Sequence, residues 1–241
     1  HSHNNVKDVP SAAMFVVALF AAWRAGGEDR LRWAWVVFAG LLAGLTLGVK
    51  ANGLVLAPIL LVWGAWLWLW PATRTWRAGR RWPAYLAAFV CIVAVALATL
   101  IAVWPYLWVG TAGRLGAAFN YFASVGHDYD VYYNGQMYLA GETLPWHYAP
   151  VHLLLTVPPA VLALAGVGIV RAGRESWAGE STAPALWLIW FAGTLLRVSL
   201  PGMAVYNGLR QVMEIMPALA LLAGLGAETI WGWAAPFLER R

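Results

Sequence analysis

Residues 83–107 read PAYLAAFVCIVAVALATLIAVWPYL and contain no charged side chain. One crossing of a bilayer needs about 20 mostly apolar residues, so this stretch predicts a membrane-spanning helix. The rest of the 241-residue chain has the same character, with 61% hydrophobic residues, 11% charged residues and a mean hydropathy of +0.63. Because a soluble domain carries about 25% charged residues, the composition excludes a soluble enzyme.

Short polar connectors divide the chain into further apolar stretches of similar length. They predict an all-α fold, a polytopic transmembrane helix bundle of about seven spans that forms a single domain over residues 1–241. The predicted spans cover residues 10–25, 33–49, 53–70, 83–107, 148–170, 183–200 and 211–236. Residues 108–147 are more polar and are predicted to form one long extracytoplasmic loop.

Most of the 16 Lys and Arg residues lie in connectors that the order of spans places on one side of the membrane, namely 24–32, 74–81, 171–180 and 239–241. Positive residues favour the cytoplasmic side, and this bias accounts for the sequence pI of 9.6 without a nucleic-acid partner. We expect an integral protein of a bacterial cytoplasmic membrane whose active face is periplasmic or extracellular. Since the first methionine is Met14, we interpret the chain as a fragment that lacks its N-terminal part.

The first polar candidate on the extracytoplasmic side is Asp8, two residues before Pro10 and the first span. One interpretation is a carboxylate that caps the helix N-terminus and opposes its dipole. The other is a group that positions or deprotonates an acceptor, or that joins His1 or His3 in a metal site. The sequence leaves both open.

Two basic residues also lie at the ends of predicted spans. Lys50 ends an apolar run inside a tight hairpin, where it either snorkels to the interface or meets a lipid phosphate. Arg210 precedes the last span, where guanidinium suits bidentate phosphate contact. A salt bridge from Arg210 to Glu214, four residues later, is the alternative.

The long loop concentrates acids, tyrosines, a histidine and an amide within residues 126–135. It is either a solvated loop folded on the membrane or a carbohydrate contact, because Tyr rings pack on sugar C–H surfaces while carboxylates and amides bind hydroxyls. No cofactor is required, and a divalent metal at the closely spaced acids lacks further ligands. The candidate sugar- or acceptor-binding residues are His127, Asp128, Tyr129, Asp130, Tyr132, Asn134, His147, Tyr148, Tyr206 and Asn207.

Short motifs occur in a definite order along the chain. They are Asn4-Asn-Val-Lys-Asp8, Gly44-Leu-Thr-Leu-Gly-Val-Lys50-Ala-Asn-Gly53, Pro145-Trp-His-Tyr-Ala-Pro150 with Thr156-Val-Pro-Pro159, and Tyr206-Asn-Gly-Leu-Arg210. In this order they resemble the membrane glycosyltransferases of the GT-C class, and most of all the protein O-mannosyltransferase and aminoarabinose-transferase branch. The resemblance extends over essentially the whole chain.

This resemblance implies a GT-C-like fold and transfer of a sugar from a polyprenyl-phosphate donor to a protein, lipid or glycan acceptor. It implies that Lys50, Asn52 and Arg210 bind the donor phosphate. It also implies a catalytic role for Asp8, with the family's principal catalytic acid upstream of residue 1. The family's last motif usually reads Tyr-Asp-Gly-Leu-Arg-His; Asn and Gln replace its acid and its imidazole here, so only phosphate binding by Arg210 carries over.

The chemistry of such a transfer fits the composition. A lipid phosphate is a good leaving group, so the protein must mainly align an acceptor, remove its proton and neutralise the departing charge. No nucleotide-binding G-x-x-x-x-G-K-[ST] sequence is present. The main alternative is a transporter or flippase of a lipid-linked sugar, which predicts polar residues near mid-span such as Arg197 and Glu228. A scaffold subunit is the third interpretation.

Overall fold

The computed structural model describes residues 6–26, 31–74 and 82–238 and is 77% helical. Its helices are α1 Asp8–Ala25, α2 Trp33–Val49, α3 Leu56–Leu69, α4 Trp82–Val103, α5 Thr111–Ser124, α6 Tyr148–Thr156, α7 Pro159–Ala178, α8 Ala183–Ser199 and α9 Ile215–Leu238. Short 3-10 helices cover Ala51–Val55, Pro71–Arg74, Pro105–Leu107 and Gly208–Val212. The prediction of a mainly helical chain is therefore confirmed. The basic connectors predicted at 24–32, 74–81 and 239–241 lie partly or wholly outside the described residues.

Among the described residues, four helical segments are long and apolar enough to cross a membrane: Asp8–Ala25, Ala51–Leu69, Trp82–Val103 and Ile215–Ala235. A fifth is obtained if α6 and α7 are taken together as one bent span. The predicted spans at 33–49 and 183–200 are apolar helices of 17 residues each. The chain thus has the helices of a membrane protein, and the total of seven spans stays a prediction.

The span predicted at 148–170 is not one straight helix. The chain bends by 116° between α6 and α7, at Val157 and Pro158. A proline lacks a backbone N–H and pushes the residue before it out of the helical region, and here two prolines follow each other. Val157 and Pro158 are extended, with ψ of 135° and 136°, and Pro159 begins α7. Helix α7 then continues to Ala178, beyond the predicted end.

The segment predicted as a long loop contains regular structure. It holds α5 and a hairpin of two antiparallel strands, β1 Asp130–Tyr133 and β2 Gln136–Leu139. The turn is Asn134-Gly135, and both residues have positive φ, 49° and 82°. Asn-Gly favours such tight hairpin turns, so this pair fixes the register. These are the only strands in the part of the chain that the structure describes.

Small residues let the helices approach closely. A Cβ atom added to Gly168 on α7 would lie 1.8 Å from the backbone oxygen of Leu222, and one added to Gly226 on α9 would lie 1.9 Å from that of Leu164. On α2, a Cβ at Gly44 would meet the backbone oxygen of Ala96 at 2.5 Å. Close backbone contact at small residues is the usual way in which membrane helices associate.

The bundle has two distinct ends. At one, which we call the Asp8 end, the start of α1 meets the end of α2. At the other, the Thr182 end, Trp23 near the end of α1 donates from Nε1 to Oγ1 of Thr182, just before α8, at 3.1 Å. Helices α1 and α8 therefore run in opposite directions. The Asp8 end carries Asp8, Lys50 and Arg210, to which the sequence analysis assigns functional roles.

Candidate functional site

Asp8 lies at the centre of an ionic cluster. It begins α1 and is only 5% exposed. Its Oδ1 accepts a hydrogen bond from Nζ of Lys50 at 2.8 Å, and its Oδ2 accepts one from Nε of Arg210 at 2.8 Å. Nζ of Lys50 also donates to the backbone oxygen of Arg210 at 3.1 Å. Three residues that are far apart in sequence thus form one bridged group.

The turn after α2 brings Lys50 to this position. Lys50 is extended, with φ of −155° and ψ of 133°, and a 3-10 helix begins at the next residue. The amide of Gly53 donates to the backbone oxygen of Lys50 at 3.0 Å. A Cβ at Gly53 would lie 2.9 Å from the backbone nitrogen of Leu47, so the turn needs glycine to remain this tight.

A second carboxylate, Glu214, lies just before α9 and is buried. Its Oε1 receives hydrogen bonds from Nδ2 of Asn52 at 3.1 Å and from an Nη of Arg197 at 3.3 Å. Nδ2 of Asn52 also donates to the backbone oxygen of Gln211. Burial raises the pKa of Glu214, while Arg197 and Lys50 oppose that shift.

In the structure, Arg210 and Glu214 each pair with another residue, and the alternative salt bridge between them is not formed. Residues Gly208–Val212 form a 3-10 helix, and α9 begins only at Ile215, so the i, i+4 geometry of an α-helix does not apply between them. Arg210 pairs with Asp8 instead, and Glu214 pairs with Arg197 on α8. The last predicted span accordingly starts later than residue 211.

The cluster carries an excess of positive charge. Its two carboxylates, Asp8 and Glu214, face three cations, Lys50, Arg197 and Arg210. The side chain of Arg210 is 56% exposed even though its Nε is bound. A guanidinium that keeps donors accessible beside an ammonium can bind an anionic oxygen at the surface.

An open cleft of about 610 Å³ is lined by aromatic and acidic residues. The ring of Tyr129 lies across that of Tyr206 with 4.8 Å between the centroids. The hydroxyl of Tyr148 accepts a hydrogen bond from the amide of Gly208 at 3.2 Å, next to Asn207. The lining residues are Asp128, Tyr129, Asp130, Val131, Tyr132, Tyr148, Tyr206 and Asn207. Residues 206–210 connect this cleft to the ionic cluster.

Three predicted sugar-binding residues do not line the cleft. His127 packs against Gly141, where an added Cβ would lie 2.0 Å from the imidazole. Asn134 forms the hairpin turn, and His147 contacts the rings of Tyr133 and Trp146 with centroids 5.7 and 5.6 Å away. Their places indicate structural contributions to the segment that forms the cleft.

The metal alternatives are covered only in part by the described residues. His1 and His3, the possible metal partners of Asp8, lie outside them. Over residues 6–26, 31–74 and 82–238, no group of three or more His, Cys, Asp or Glu side chains could hold a metal ion. Asp128 and Asp130 line the cleft as two carboxylates.

Sequence reasoning missed His152 and the ion pair between Arg197 and Glu214, since it named Glu214 only as a partner of Arg210 and Arg197 only for a transport path. Nδ1 of His152 lies 3.1 Å from the backbone oxygen of Tyr148, and the two rings are 4.2 Å apart. Their i, i+4 spacing in α6 was the available signal. Arg197 had a signal too, since it is a charge inside an otherwise apolar run.

Helix α8 also carries buried polar atoms without partners. Nε1 of Trp190, Oγ1 of Thr194 and Nε of Arg197 have no hydrogen-bond partner within the described part of the chain. The spacing of three and four residues places them on one face of the helix. Buried polar groups of this kind indicate strain, a catalytic role or a bound water or ion.

Comparison of the chain with protein-family models, with curated proteins and with solved structures finds no match in any of the three. The resemblance to the GT-C class therefore rests on the motifs alone.

Proposed function

We propose that the chain is a membrane glycosyltransferase that moves a sugar from a polyprenyl-phosphate donor to an acceptor at the Asp8 end. The observation that carries this proposal is the bridged group of Asp8, Lys50 and Arg210 beside a cleft of tyrosines and aspartates. A cationic group suits the donor phosphate, and the cleft has the chemistry of carbohydrate contact. The two adjoin through residues 206–210.

In this mechanism the donor phosphate binds Lys50 and Arg210, which then no longer pair with Asp8. The acceptor hydroxyl or amine attacks the anomeric carbon as the bond from that carbon to the phosphate oxygen breaks. Lys50 and Arg210 neutralise the charge that develops on the leaving phosphate. The carboxylate of Asp8, no longer bound by these two cations, can then position the acceptor or take its proton. Asn52 supports the turn of Lys50 through Glu214 and Gln211.

The membrane arrangement that we propose has seven crossings, formed by α1, α2, α3, α4, α7, α8 and α9, with α6 at the extracytoplasmic face. Helices α2 and α8 are each about 25 Å long at 1.5 Å per residue. Both end at the Asp8 end, at Lys50 and near Arg197. The positive-inside rule then assigns the Asp8 end to the periplasmic or extracellular side of a bacterial cytoplasmic membrane.

The test uses the full-length protein in lipid nanodiscs with a polyprenyl-phosphate hexose and follows release of free polyprenyl phosphate. Lys50→Met and Arg210→Gln should each lower the rate by about 100-fold, which is typical for removal of one donor to developing charge. The matched control is Arg171→Gln, because Arg171 also forms ion pairs, with Glu175 and Glu228, in another region. Equal rates in all three variants, or no release with any hexose and acceptor, would contradict the proposal.

A lipid-linked-sugar flippase is the second candidate, and the unpartnered polar atoms of α8 favour it. Trp190 and Thr194 lie deeper in the bundle than Arg197, as residues of a polar path would. A flippase would move a fluorescent lipid-linked sugar between the leaflets of liposomes without consuming it. Translocation without release of polyprenyl phosphate selects this function, whereas release selects the transferase.

A further inference from the structure

Helix α5 contributes no buried residue to the protein. Phe119, Tyr121 and Phe122 are 65%, 60% and 47% exposed. At 100° per residue, Leu115, Phe119 and Phe122 fall on one face of this helix, while Asn120 and Ser124 fall on the other. An exposed helix with two large aromatic residues on one face needs a partner for that face.

The start of α5 is fastened to the end of α4. Nε1 of Trp108 donates to the backbone oxygen of Ile101 at 2.8 Å. An Nη of Arg114 donates to the backbone oxygen of Tyr106 at 2.6 Å, and its guanidinium lies 5.0 Å from the ring centroid of that tyrosine. The helix therefore begins at the depth at which α4 ends.

Helix α4 is the most apolar of the four candidate spans, with a mean hydropathy of 2.9. Only 17% of it is buried within the protein. Its exposed surface suits lipid, and it leads through Trp104, Tyr106 and Trp108 directly into α5. Aromatic residues of this kind concentrate at membrane interfaces. The chain thus runs from the exposed apolar surface of α4, through residue types that favour an interface, into α5.

We propose that α5 is an interfacial helix that lies along the extracytoplasmic leaflet, with Leu115, Phe119 and Phe122 among the acyl chains. Arg114 and Tyr121 flank that face at the level of the headgroups, and Asn120 and Ser124 face water. An amphipathic helix with aromatic residues on one side and polar residues on the other binds membranes in this way. The helix holds the first part of segment 108–147 against the bilayer. This inference requires a membrane around α4 but not the transferase activity.

The experiment measures the depth of spin labels in the full chain, reconstituted in liposomes of phosphatidylcholine and phosphatidylglycerol. Cys91→Ala removes the single native thiol. Single cysteines then replace Phe119, Phe122, Asn120 and Ser124, and each is labelled with a nitroxide. Collisions with oxygen report lipid, and collisions with a water-soluble nickel chelate report water. The ratio of oxygen to nickel accessibility should be several-fold higher at 119 and 122 than at 120 and 124.

Val90→Cys is the control, because Val90 is 56% exposed on α4. Nickel access at 119 and 122, with oxygen access alone at 90, would place α5 in water and overturn the proposal. Shielding of 119 and 122 from both reagents would show that protein covers this face, from a second copy or another segment, and would overturn it too. Nickel access at 90 would overturn the membrane assignment itself, and a loss of transferase activity would leave the result at α5 unaffected.

Discussion

The two ends of the bundle are held together by different chemistry. At the Thr182 end, indole N–H groups donate to backbone oxygens: Nε1 of Trp63 donates to that of Thr182 at 3.1 Å, and Nε1 of Trp70 donates to that of Trp177 at 2.9 Å. The ion pairs of Arg171 near the end of α7 are partly exposed. At the Asp8 end, buried carboxylates are paired with cations from distant parts of the chain.

This difference supports the proposal that the Asp8 end is the functional end. Neutral hydrogen bonds between an indole and a carbonyl satisfy buried groups at little desolvation cost. A buried ion pair costs several kcal/mol in desolvation, of the order of what it returns, and is weak evidence for a purely stabilising role. Charges kept at the ends of apolar helices are consistent with the proposed binding of a charged ligand.

The largest effect on stability is expected from Asp8→Ala. This change leaves Lys50 without the carboxylate that binds its Nζ, and removal of one partner from a buried pair costs about 3 kcal/mol. Unfolding of the full chain in mixed micelles of detergent and denaturant measures the loss. The control is Glu142→Ala, an exposed acid in the long segment, and a loss of the same size there would show that the Asp8 cluster has no special weight.

A change midway between the two ends, where α7 crosses α9, should lower the free energy of unfolding, measured in the same mixed micelles. In Gly168→Ala the new Cβ would lie 1.8 Å from the backbone oxygen of Leu222, so α7 and α9 must separate, at a cost of about 2 kcal/mol. Gly166→Ala is the matched control on the same helix, because nothing lies within 4 Å of its Cβ. Equal stability of the two variants would show that the close crossing does not hold the helices together.

Much of the fold could be predicted because polar residues end the apolar runs. Arg32 and Lys50 flank α2, and its observed bounds coincide with the predicted ones. The bend after α6 was missed because the apolar run continues through Pro158, where backbone geometry, not hydropathy, breaks the helix. The hairpin was missed although Asn134-Gly135 is a strong turn signal.

The site was predictable only in part, for a similar reason. Asp8, Lys50 and Arg210 attract attention because charges at the ends of apolar runs are rare, and the structure brings them together. The pairing of Glu214 with Arg197 depends on a 3-10 turn and on how α8 packs against α9. Such contacts between distant segments have no local sequence pattern. The assigned roles in phosphate binding and catalysis stay predictions.

The smallest effect on stability is expected from two threonines of α8, Thr182 just before the helix and Thr194 within it. Thr182→Val removes the oxygen that accepts from Nε1 of Trp23 and should cost about 1 kcal/mol of unfolding free energy. Thr194 is fully buried, and its hydroxyl has no hydrogen-bond partner among the described residues. Replacing an unsatisfied hydroxyl with a methyl group of similar shape should leave stability equal or higher.

The same two variants also distinguish a structural role of the Thr194 hydroxyl from a role in a transport path. If the Thr194 hydroxyl belongs to a polar path, Thr194→Val should slow movement of a lipid-linked sugar across liposomes while the protein stays as stable as wild type. If the chain is a transferase, that variant should release polyprenyl phosphate at the wild-type rate, and Thr182→Val should do so too below its unfolding temperature. A stability loss in Thr194→Val larger than in Thr182→Val would show that the hydroxyl is bonded after all. The Thr194 hydroxyl would then be a structural hydrogen-bonding group and not part of a polar path.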